Sequence, residues 1–238
     1  MRAYTSLPTC TKKGSIAAVI AIYHFSAKVI SRANGSSAVA SGAYRAAERL
    51  HDDRLGRNHD FSNKAGVVHS EIMLPEGAPE RLNDRAALWN EVEAGEKRKD
   101  AQLAREVEFS IPREMNEKQG VALARDFVKK QMVDRGMVAD LNVHWDKAKD
   151  GSPKPHAHVM LAMREVDWQG FGKKVRDWNS TELLKGWREA WAAHVNERMA
   201  ELGIEGRIDH RSYADQVVTK QQRGGARLQH TIQLTGRG

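Results

Sequence analysis

The stretch "SPKPHAHVMLAM" (Ser152–Met163) holds the pattern that decides the fold. Its second half is as apolar as a buried strand, yet it carries two histidines, His156 and His158. In a β-strand, residues two apart project to the same side, roughly 6.5–7 Å from each other. The stretch therefore predicts a strand with both imidazoles on one face, and with Val159 and Leu161 on the opposite, core-facing side.

A second strand precedes this one and adds a third histidine. "MVADLNVHW" (residues 137–145) alternates apolar positions with Asn142 and His144, and "DKAKDGSPKP" follows as a loop long enough for a β-hairpin. Cross-strand neighbours lie about 4.5–5.5 Å apart at Cβ, so pairing places His144 opposite the His156/His158 pair. Three neutral imidazoles suit a divalent transition metal with a position open to substrate. The alternative is three solvated histidines on a polar sheet face.

Strand and helix patterns alternate along the rest of the chain. Strands are predicted over Ala17–Lys28, in "VVHSEIMLP" and in "AREVEFSIP". Helices are predicted over Ser37–Asp52 and in three later stretches: "PERLNDRAALWNEVEAGEKRKD", "NEKQGVALARDFVKKQMVDRG" and "STELLKGWREAWAAHVNERMAELGI". The second of these stretches opens with Asn116 and Gln119 in a capping-box pattern. This order predicts an α/β (α+β) fold with a central, mostly antiparallel sheet covered by helices.

Composition limits the class of protein. The chain has 238 residues, 40% of them apolar, which is enough for one domain with a core. The net charge of +7 favours a polyanionic partner such as nucleic acid, although a solvated basic surface gives the same count. A single cysteine, Cys10, excludes an intrachain disulfide, and the apolar run Ile16–Ile22 is too short to span a bilayer. We expect a disordered extension over residues 1–18, one domain over 19–215 and a flexible tail over 216–238.

Two carboxylates and one tyrosine are candidates for the chemistry. Glu106 and Glu108 share one face of the "AREVEFSIP" strand, where they could orient an imidazole, accept a proton or form an ordinary polar sheet face. A metal site on a basic protein suggests phosphodiester chemistry, with water or a side chain as the nucleophile. Tyr44 follows small residues in "SGAYRAAERL", which would let a DNA backbone approach closely; packing is the alternative role.

Three arginines near that tyrosine are candidates for binding DNA. Arg45 and Arg49 are four apart, so on a helix they share a face and could bind phosphates together. A solvated helix face is the alternative for this pair. Arg32, in the turn-rich "SRANGSS", completes the set of candidate DNA-binding residues.

Four stretches together carry a family resemblance. "AIYHFSAKVISRANGSSAVASGAYRAAERL", "EVEFSIPREM", "HWDKAKDGSPKPHAHVML" and "WREAWAAHVNERMAELGIEGRIDHRS" occur in this order over roughly residues 20–215. In order and spacing they resemble the MobA/MobL family of plasmid relaxases, particularly the N-terminal relaxase part of TraA-type conjugation proteins. Such relaxases belong to the HUH endonucleases, named for a His–hydrophobe–His pair, which corresponds here to His156–Ala157–His158.

The resemblance implies a function and a set of site residues. It implies nicking of one DNA strand by metal-assisted transesterification, with Tyr44 as the nucleophile and a 5′-phosphotyrosyl intermediate. It implies that His144, His156 and His158 hold a divalent ion, with Mn²⁺ or Mg²⁺ expected first and Zn²⁺ as a further option. It also implies that Glu106, with Glu108 beside it, is the acidic partner of the site.

The resemblance also implies partners and a location. The substrate would be single-stranded plasmid DNA at an origin of transfer (oriT). Relaxosome accessory proteins and the coupling protein of a type IV secretion system would be protein partners. The expected location is the bacterial cytoplasm, without membrane insertion.

Three alternatives stay open at this point. A rolling-circle replication initiator or single-strand transposase of the HUH class would use a tyrosine downstream of the histidine pair, and Tyr213 is the candidate there. A metal-dependent hydrolase would use water as the nucleophile and leave no covalent adduct. A basic DNA-binding module would have no catalytic activity.

Overall fold

Short strands and four helices make up the residues described by the computed structural model, 23–211. The strands are β1 (Phe25–Ser31), β2 (Arg49–Asp52), β3 (Arg57–Asp60), β4 (Val67–Met73), β5 (Gln102–Ser110), β6 (Ala139–Lys147), β7 (Pro153–Ala162), β8 (Arg164–Asp167) and β9 (Gly170–Lys174). The helices are α1 (Ala38–Ala46), α2 (Arg85–Gly95), α3 (Glu117–Gln131) and α4 (Thr181–Glu201).

Five of these strands pair into one antiparallel sheet with the order β1-β5-β7-β6-β4. The strands β2 and β3 form a separate two-stranded hairpin, and so do β8 and β9. The predicted fold class, a mostly antiparallel sheet covered by helices, is therefore confirmed. Within residues 23–211, no helix combines the length and the apolar content needed to cross a lipid bilayer.

The predicted hairpin between the two histidine-bearing strands is confirmed by the register of β6 and β7. His144 pairs directly with His156, and Asn142 pairs with His158. On the other side of β7, strand β5 places Glu108 opposite His158. The histidine-bearing part of β7 therefore lies in the interior of the sheet, between β5 and β6, where its backbone is hydrogen-bonded on both sides.

One face of the sheet forms the larger core together with α3 and α4. Val107, Leu141 and Val159 point to this face and are fully buried. Helix α3 begins at the predicted capping box, in which Asn116 and Gln119 bond each other's backbone N–H groups. The predicted apolar stripe of α4 packs here too, with Trp187, Trp191, Val195 and Met199 buried and Leu184 partly buried.

The opposite face of the sheet is divided between a core and a polar site. At one end, α1 and α2 cover apolar residues such as Ile30, Met160 and Ala162. At the other end the same face presents the glutamates of β5 and the histidines of β6 and β7. Because side chains alternate along a strand, the same strands contribute to the larger core on one face and to the polar site on the other.

The predicted helix Ser37–Asp52 is too long. Helix α1 ends at Ala46, because Ala47 adopts a left-handed backbone conformation with φ of 56°. The following residues form the β2–β3 hairpin instead, in a region where the sequence predicted helix and then loop. The hairpin formed by β8 and β9 was also not predicted.

The first predicted strand, Ala17–Lys28, lies only partly within the described residues, and its end was placed too early. In the described part of the chain it starts at Phe25 and continues to Ser31. The predictions of a disordered extension over 1–18 and a flexible tail over 216–238 lie outside the described residues, as does Tyr213.

Candidate active site

Three imidazoles converge on the polar half of the sheet face, as the hairpin predicted. The ring centroids of His144 and His156 are 5.2 Å apart, those of His144 and His158 are 4.9 Å apart, and those of His156 and His158 are 5.0 Å apart. One nitrogen from each ring lies within 4.8 Å of the corresponding nitrogens of the other two. His144 is buried, whereas the other two rings are partly open.

Each imidazole uses one nitrogen to bond an oxygen acceptor. His144 Nε2 lies 2.8 Å from the backbone oxygen of Arg45, and His156 Nδ1 lies 3.0 Å from that of Lys154. His158 Nδ1 lies 2.8 Å from Oε1 of Glu106. Carbonyl and carboxylate oxygens only accept, so these nitrogens carry the protons. The remaining nitrogen of each neutral ring then has the lone pair that a metal ion requires.

The electrostatics of the cluster favour the neutral form of His144 and His156. Burial lowers the pKa of His144 to about 4, and the Lys64 ammonium and the two neighbouring imidazoles act in the same direction. Burial also lowers the pKa of His156. At neutral pH these two rings are therefore in the form that binds a cation. The donor set and its protonation fit the predicted divalent ion.

Glu106 is a buried anion that orients the cluster. Its carboxylate bonds His158, lies 2.6 Å from Arg45 Nε and lies 3.1 Å from Lys28 Nζ. Burial alone would raise the pKa of Glu106, but these hydrogen bonds and positive charges hold it well below the ordinary range. An ionised carboxylate with three donors is a poor proton acceptor, so its chemical part is to fix the tautomer of His158.

Glu108 occupies a different position from Glu106. It is partly exposed, with one carboxylate oxygen 3.9 Å from His158 Nδ1 and the other 4.0 Å from His24 Nε2. It also lines a cleft of about 720 Å³ beside His156. The cleft contains four cationic side chains, which are Arg113, Lys147, Lys149 and Lys154. A polyanion can therefore approach the histidine cluster from this side.

Tyr44 projects from α1 toward the same cluster. The residue is 48% exposed, and its ring packs edge-on against Phe61 with centroids 5.3 Å apart. Lys64 Nζ lies 4.2 Å from the Tyr44 ring centroid and 3.5 Å from His144 Nδ1. Because Lys64 Nζ makes both contacts, the Tyr44 ring lies within a nanometre of His144. The structure thus brings the predicted nucleophile and the predicted metal ligands together.

The seating of α1 fixes the position of this tyrosine. Gly42, one turn before Arg45, lies against Trp89, whose indole N–H donates to Asp140 over 2.8 Å. Arg85 holds the same Asp140 carboxylate through two bonds of 3.0 Å. At the end of the helix, the backbone oxygen of Arg45 accepts from His144. Helix α1 is therefore anchored to the sheet on both sides of Tyr44.

The three predicted DNA-binding arginines do not form one surface. Arg45 turns its guanidinium inward onto Glu106, whereas Arg49 lies exposed on β2, so the predicted shared helix face is wrong. The cause is the end of α1 at Ala47. Arg32 bonds Glu93 and backbone oxygens beyond it, and its side chain is only 13% exposed. Of the three, Arg49 alone presents a largely exposed side chain.

Lys64 is a site residue that the sequence did not reveal. It lies in a polar segment between β3 and β4, where nothing in the local pattern distinguishes it from a solvated lysine. A turn closed by its N–H and the Phe61 oxygen, 2.9 Å apart, brings both side chains onto Tyr44. Burial lowers the pKa of Lys64, and the carboxylate of Asp146 opposes that shift.

Comparisons with known proteins agree with the fold and assign the chain to a family. The model of the MobA/MobL family matches residues 36–229. Conjugal transfer protein TraA of Agrobacterium fabrum is 36% identical over 246 residues, covering 90% of this chain and 21% of that protein. Mobilization protein MobL of Acidithiobacillus ferridurans is 38% identical over 226 residues, covering 82% of this chain and 59% of that protein.

A solved structure gives the same result. It comes from work on the molecular basis of vancomycin resistance transfer in Staphylococcus aureus, and it has a TM-score of 0.75 to this chain. It is 35% identical and covers 81% of this chain and 100% of that one. The chain therefore belongs to the MobA/MobL family, as its sequence motifs predicted. It spans about a fifth of the length of the TraA relative and 59% of the MobL relative.

Proposed function

We propose that this chain is a relaxase, an enzyme that nicks one strand of plasmid DNA at an origin of transfer and rejoins it after transfer. One observation carries the proposal: the Tyr44 phenol and the three-imidazole cluster are joined through a single ammonium group, that of Lys64. A phosphodiester held on the open side of the imidazoles would be within reach of the phenolic oxygen. The relatives named for conjugal transfer and mobilization support the same assignment.

In the proposed reaction, the phenolic oxygen of Tyr44 attacks the phosphorus atom of the scissile phosphodiester. A bond from phosphorus to the phenolic oxygen forms, and the bond from phosphorus to the 3′ oxygen breaks. The phenolic proton passes to solvent, and the released oxygen takes up a proton to become a 3′-OH. The other product is a 5′-phosphotyrosyl adduct. One phosphodiester replaces another, so little bond energy is lost and the reverse reaction rejoins the strand.

The residues around the tyrosine have distinct parts in this reaction. Glu106 stays ionised and fixes the tautomer and orientation of His158. Arg45 neutralises Glu106 and, through its backbone oxygen, orients His144. Glu108 faces the cleft rather than the buried ion pair, so it is the carboxylate open to solvent and substrate.

His144, His156 and His158 would hold a divalent metal ion. When bound, the ion would offset the negative charge that builds up on the phosphate oxygens during the displacement. Of the ions expected from the sequence, a purely imidazole donor set favours Zn²⁺ over Mg²⁺, which prefers oxygen ligands.

The proposed substrate is single-stranded DNA. The net charge of +7 and the four cations of the cleft fit a phosphate backbone, and bases could stack on exposed aromatic rings. Relaxosome accessory proteins and a secretion coupling protein are proposed as protein partners, and the bacterial cytoplasm as the place of action. These follow from the family and not from contacts seen in the chain.

The test is covalent capture of oriT single strands. The protein is incubated with single-stranded oriT oligonucleotides, with a divalent ion or with a chelator, and the products are run on a denaturing gel. We expect a metal-dependent protein–DNA adduct, which peptide mass spectrometry assigns to Tyr44. An adduct on Tyr213 would indicate a replication initiator or transposase, and cleavage without any adduct would indicate a hydrolase.

A further inference from the structure

Lys64 places a positive charge between the nucleophile and a metal ligand. Its ammonium nitrogen lies 3.1 Å from the backbone oxygen of Tyr44, 4.2 Å from the centroid of the Tyr44 ring and 3.5 Å from His144 Nδ1. The side chain is half-buried and runs under the phenol. Its backbone is fixed by a turn whose other member, Phe61, packs against the same ring.

The acceptors around this ammonium are uncharged. Among the described residues, its hydrogen-bond contacts are a backbone oxygen and an imidazole nitrogen. A desolvated ammonium is stabilised most by a hydrogen-bonded anion, which also compensates its charge. The carboxylate of Asp146 acts on the Lys64 ammonium through its charge, but it is not one of these hydrogen-bond contacts. An ammonium has three donors, so one of them remains for an anion that binds there directly.

His144 Nδ1 cannot accept a hydrogen bond from Lys64 and bind a metal ion at the same time. The proton of His144 is on Nε2, since that nitrogen bonds the Arg45 oxygen. Nδ1 therefore offers the only lone pair of that ring, and Lys64 now points at it. An ion ligated by His144 would take that lone pair, leaving the ammonium with one acceptor and a like charge nearby.

An oxygen of the scissile phosphate is the anion that this place fits. The phosphate must contact the phenolic oxygen that attacks it and the imidazole cluster that binds it. The ammonium already lies between those two groups. We propose that Lys64 is a catalytic residue, whose ammonium donates to a non-bridging oxygen of the phosphate under attack by Tyr44. The proposal rests on the relaxase function proposed above.

A purely structural part for Lys64 makes a different prediction. If the residue only tied α1 through the Tyr44 oxygen, any side chain that donates one hydrogen bond would replace it. If its charge acts on the phosphate, only another cation would do so. Lys64→Gln keeps a hydrogen-bond donor without the charge, and Lys64→Arg keeps both, so the pair of variants separates the two roles. Lys64→Met removes the donor and the charge together.

The first experiment measures binding without catalysis. Affinities for oriT single strands are measured with a Tyr44→Phe variant in the presence of a chelator. This variant keeps an aromatic ring next to the ammonium. Each oligonucleotide carries one neutral methylphosphonate, moved along the strand position by position. With Lys64 present, we expect one position at which the neutral linkage weakens binding, on the order of tenfold for a charge-assisted contact. In Lys64→Met that penalty should fall to within about twofold of the other positions.

The second experiment measures the rate of adduct formation with Tyr44 restored and the divalent ion present. Loss of one preorganised donor typically costs on the order of 100-fold in rate. We expect that loss in Lys64→Met and Lys64→Gln, and recovery of most of the rate in Lys64→Arg. Lys129→Met is the control: it removes a lysine of α3 that pairs with Asp134, on the opposite face of the sheet, and should leave the rate unchanged.

The outcomes separate the inference from the function on which it rests. If native Lys64 and Tyr44 give no adduct, the relaxase proposal fails, whatever the methylphosphonate series shows. If the adduct forms, but the methylphosphonate penalty is the same with and without Lys64, the phosphate contact is disproved. Full recovery of the rate by Lys64→Gln would likewise overturn it. Thermal unfolding of each variant identifies any loss of rate that comes from misfolding. If Lys64→Met and Lys64→Gln misfold, the rate of Lys64→Arg tests the role of the charge.

Discussion

Replacing Gly42 by alanine should disturb both the fold and the tyrosine that α1 carries. A Cβ at this position would lie 2.7 Å from Cδ1 and 2.8 Å from Nε1 of Trp89. The indole cannot easily move, because it is fully buried and bonded to Asp140, which Arg85 also holds. Overpacking of this kind costs about 1–3 kcal/mol. Alanine regains about 0.5–1 kcal/mol of helix propensity over glycine, which leaves a net destabilisation of up to about 2.5 kcal/mol.

The effect on the chemistry follows from the same displacement. Tyr44 is two residues beyond Gly42, so lifting α1 off Trp89 moves the phenol relative to the imidazoles. A misplacement of about 1 Å can cost on the order of 100-fold in rate. Urea denaturation gives the free energy of unfolding, and the rate of adduct formation on oriT oligonucleotides gives the activity. We expect both to fall.

Gly186→Ala is the matched control for this change. Gly186 lies inside α4, and a Cβ there would meet nothing within 4 Å. The same substitution should therefore stabilise the protein by about 0.5–1 kcal/mol and leave the adduct rate unchanged. If Gly42→Ala proved as stable as Gly186→Ala and equally active, close seating of α1 on Trp89 would not be what positions the tyrosine.

Three further predictions concern the site and the acid stability of the fold. Tyr44→Phe removes only the phenolic oxygen, so it should abolish the adduct while DNA binding, measured by fluorescence anisotropy, stays within about threefold; residual adduct would exclude Tyr44 as the nucleophile. His156→Ala should lose metal-dependent cleavage, and isothermal titration should show weaker Mn²⁺ binding than in the native chain; full activity in a chelator would contradict the metal site. Burial alone would raise the pKa of Asp52, but hydrogen bonds from Ser37, the Leu55 N–H and His59 lower it below the ordinary value. Because the folded pKa is the lower one, this carboxylate stabilises the fold above about pH 4, and the contribution is lost as pH falls through the folded pKa. Asp52→Asn should therefore lower the free energy of unfolding at pH 7 by about 1–2 kcal/mol and weaken its dependence on pH below 4. Urea denaturation at several pH values measures both quantities. A variant with the same acid dependence as the native chain would contradict this role of Asp52.

The parts of the site that follow from strand alternation could be predicted from the sequence. His144, His156 and His158 occupy a hairpin whose period of two fixes both the face and the register. The same period put Glu106 beside His158 from a third strand. In these cases the local pattern and the final fold agree, because the apolar residues between the polar ones must face the core.

The parts that depend on contacts distant in sequence could not be predicted. The helix containing Arg45 looked continuous to Arg49 because alanine, glutamate and leucine all favour helices, yet α1 stops at Ala47. The strands of the β2–β3 hairpin are four residues long and mostly polar, so they give no apolar alternation. Lys64 gains its place only when that hairpin carries the chain back over Tyr44.

The alternation along β7 ties two properties of the protein to a single alignment. A slip of one residue against β5 and β6 would turn Ala157 and Val159 outward and press both imidazoles into the aromatic cluster of Phe109 and Trp191. A molecule that paired these strands wrongly would lose its packed core and its candidate metal-binding imidazoles together. Errors of this kind would leave unstable chains open to proteolysis, rather than well-packed copies that bind the proposed DNA substrate without reacting with it.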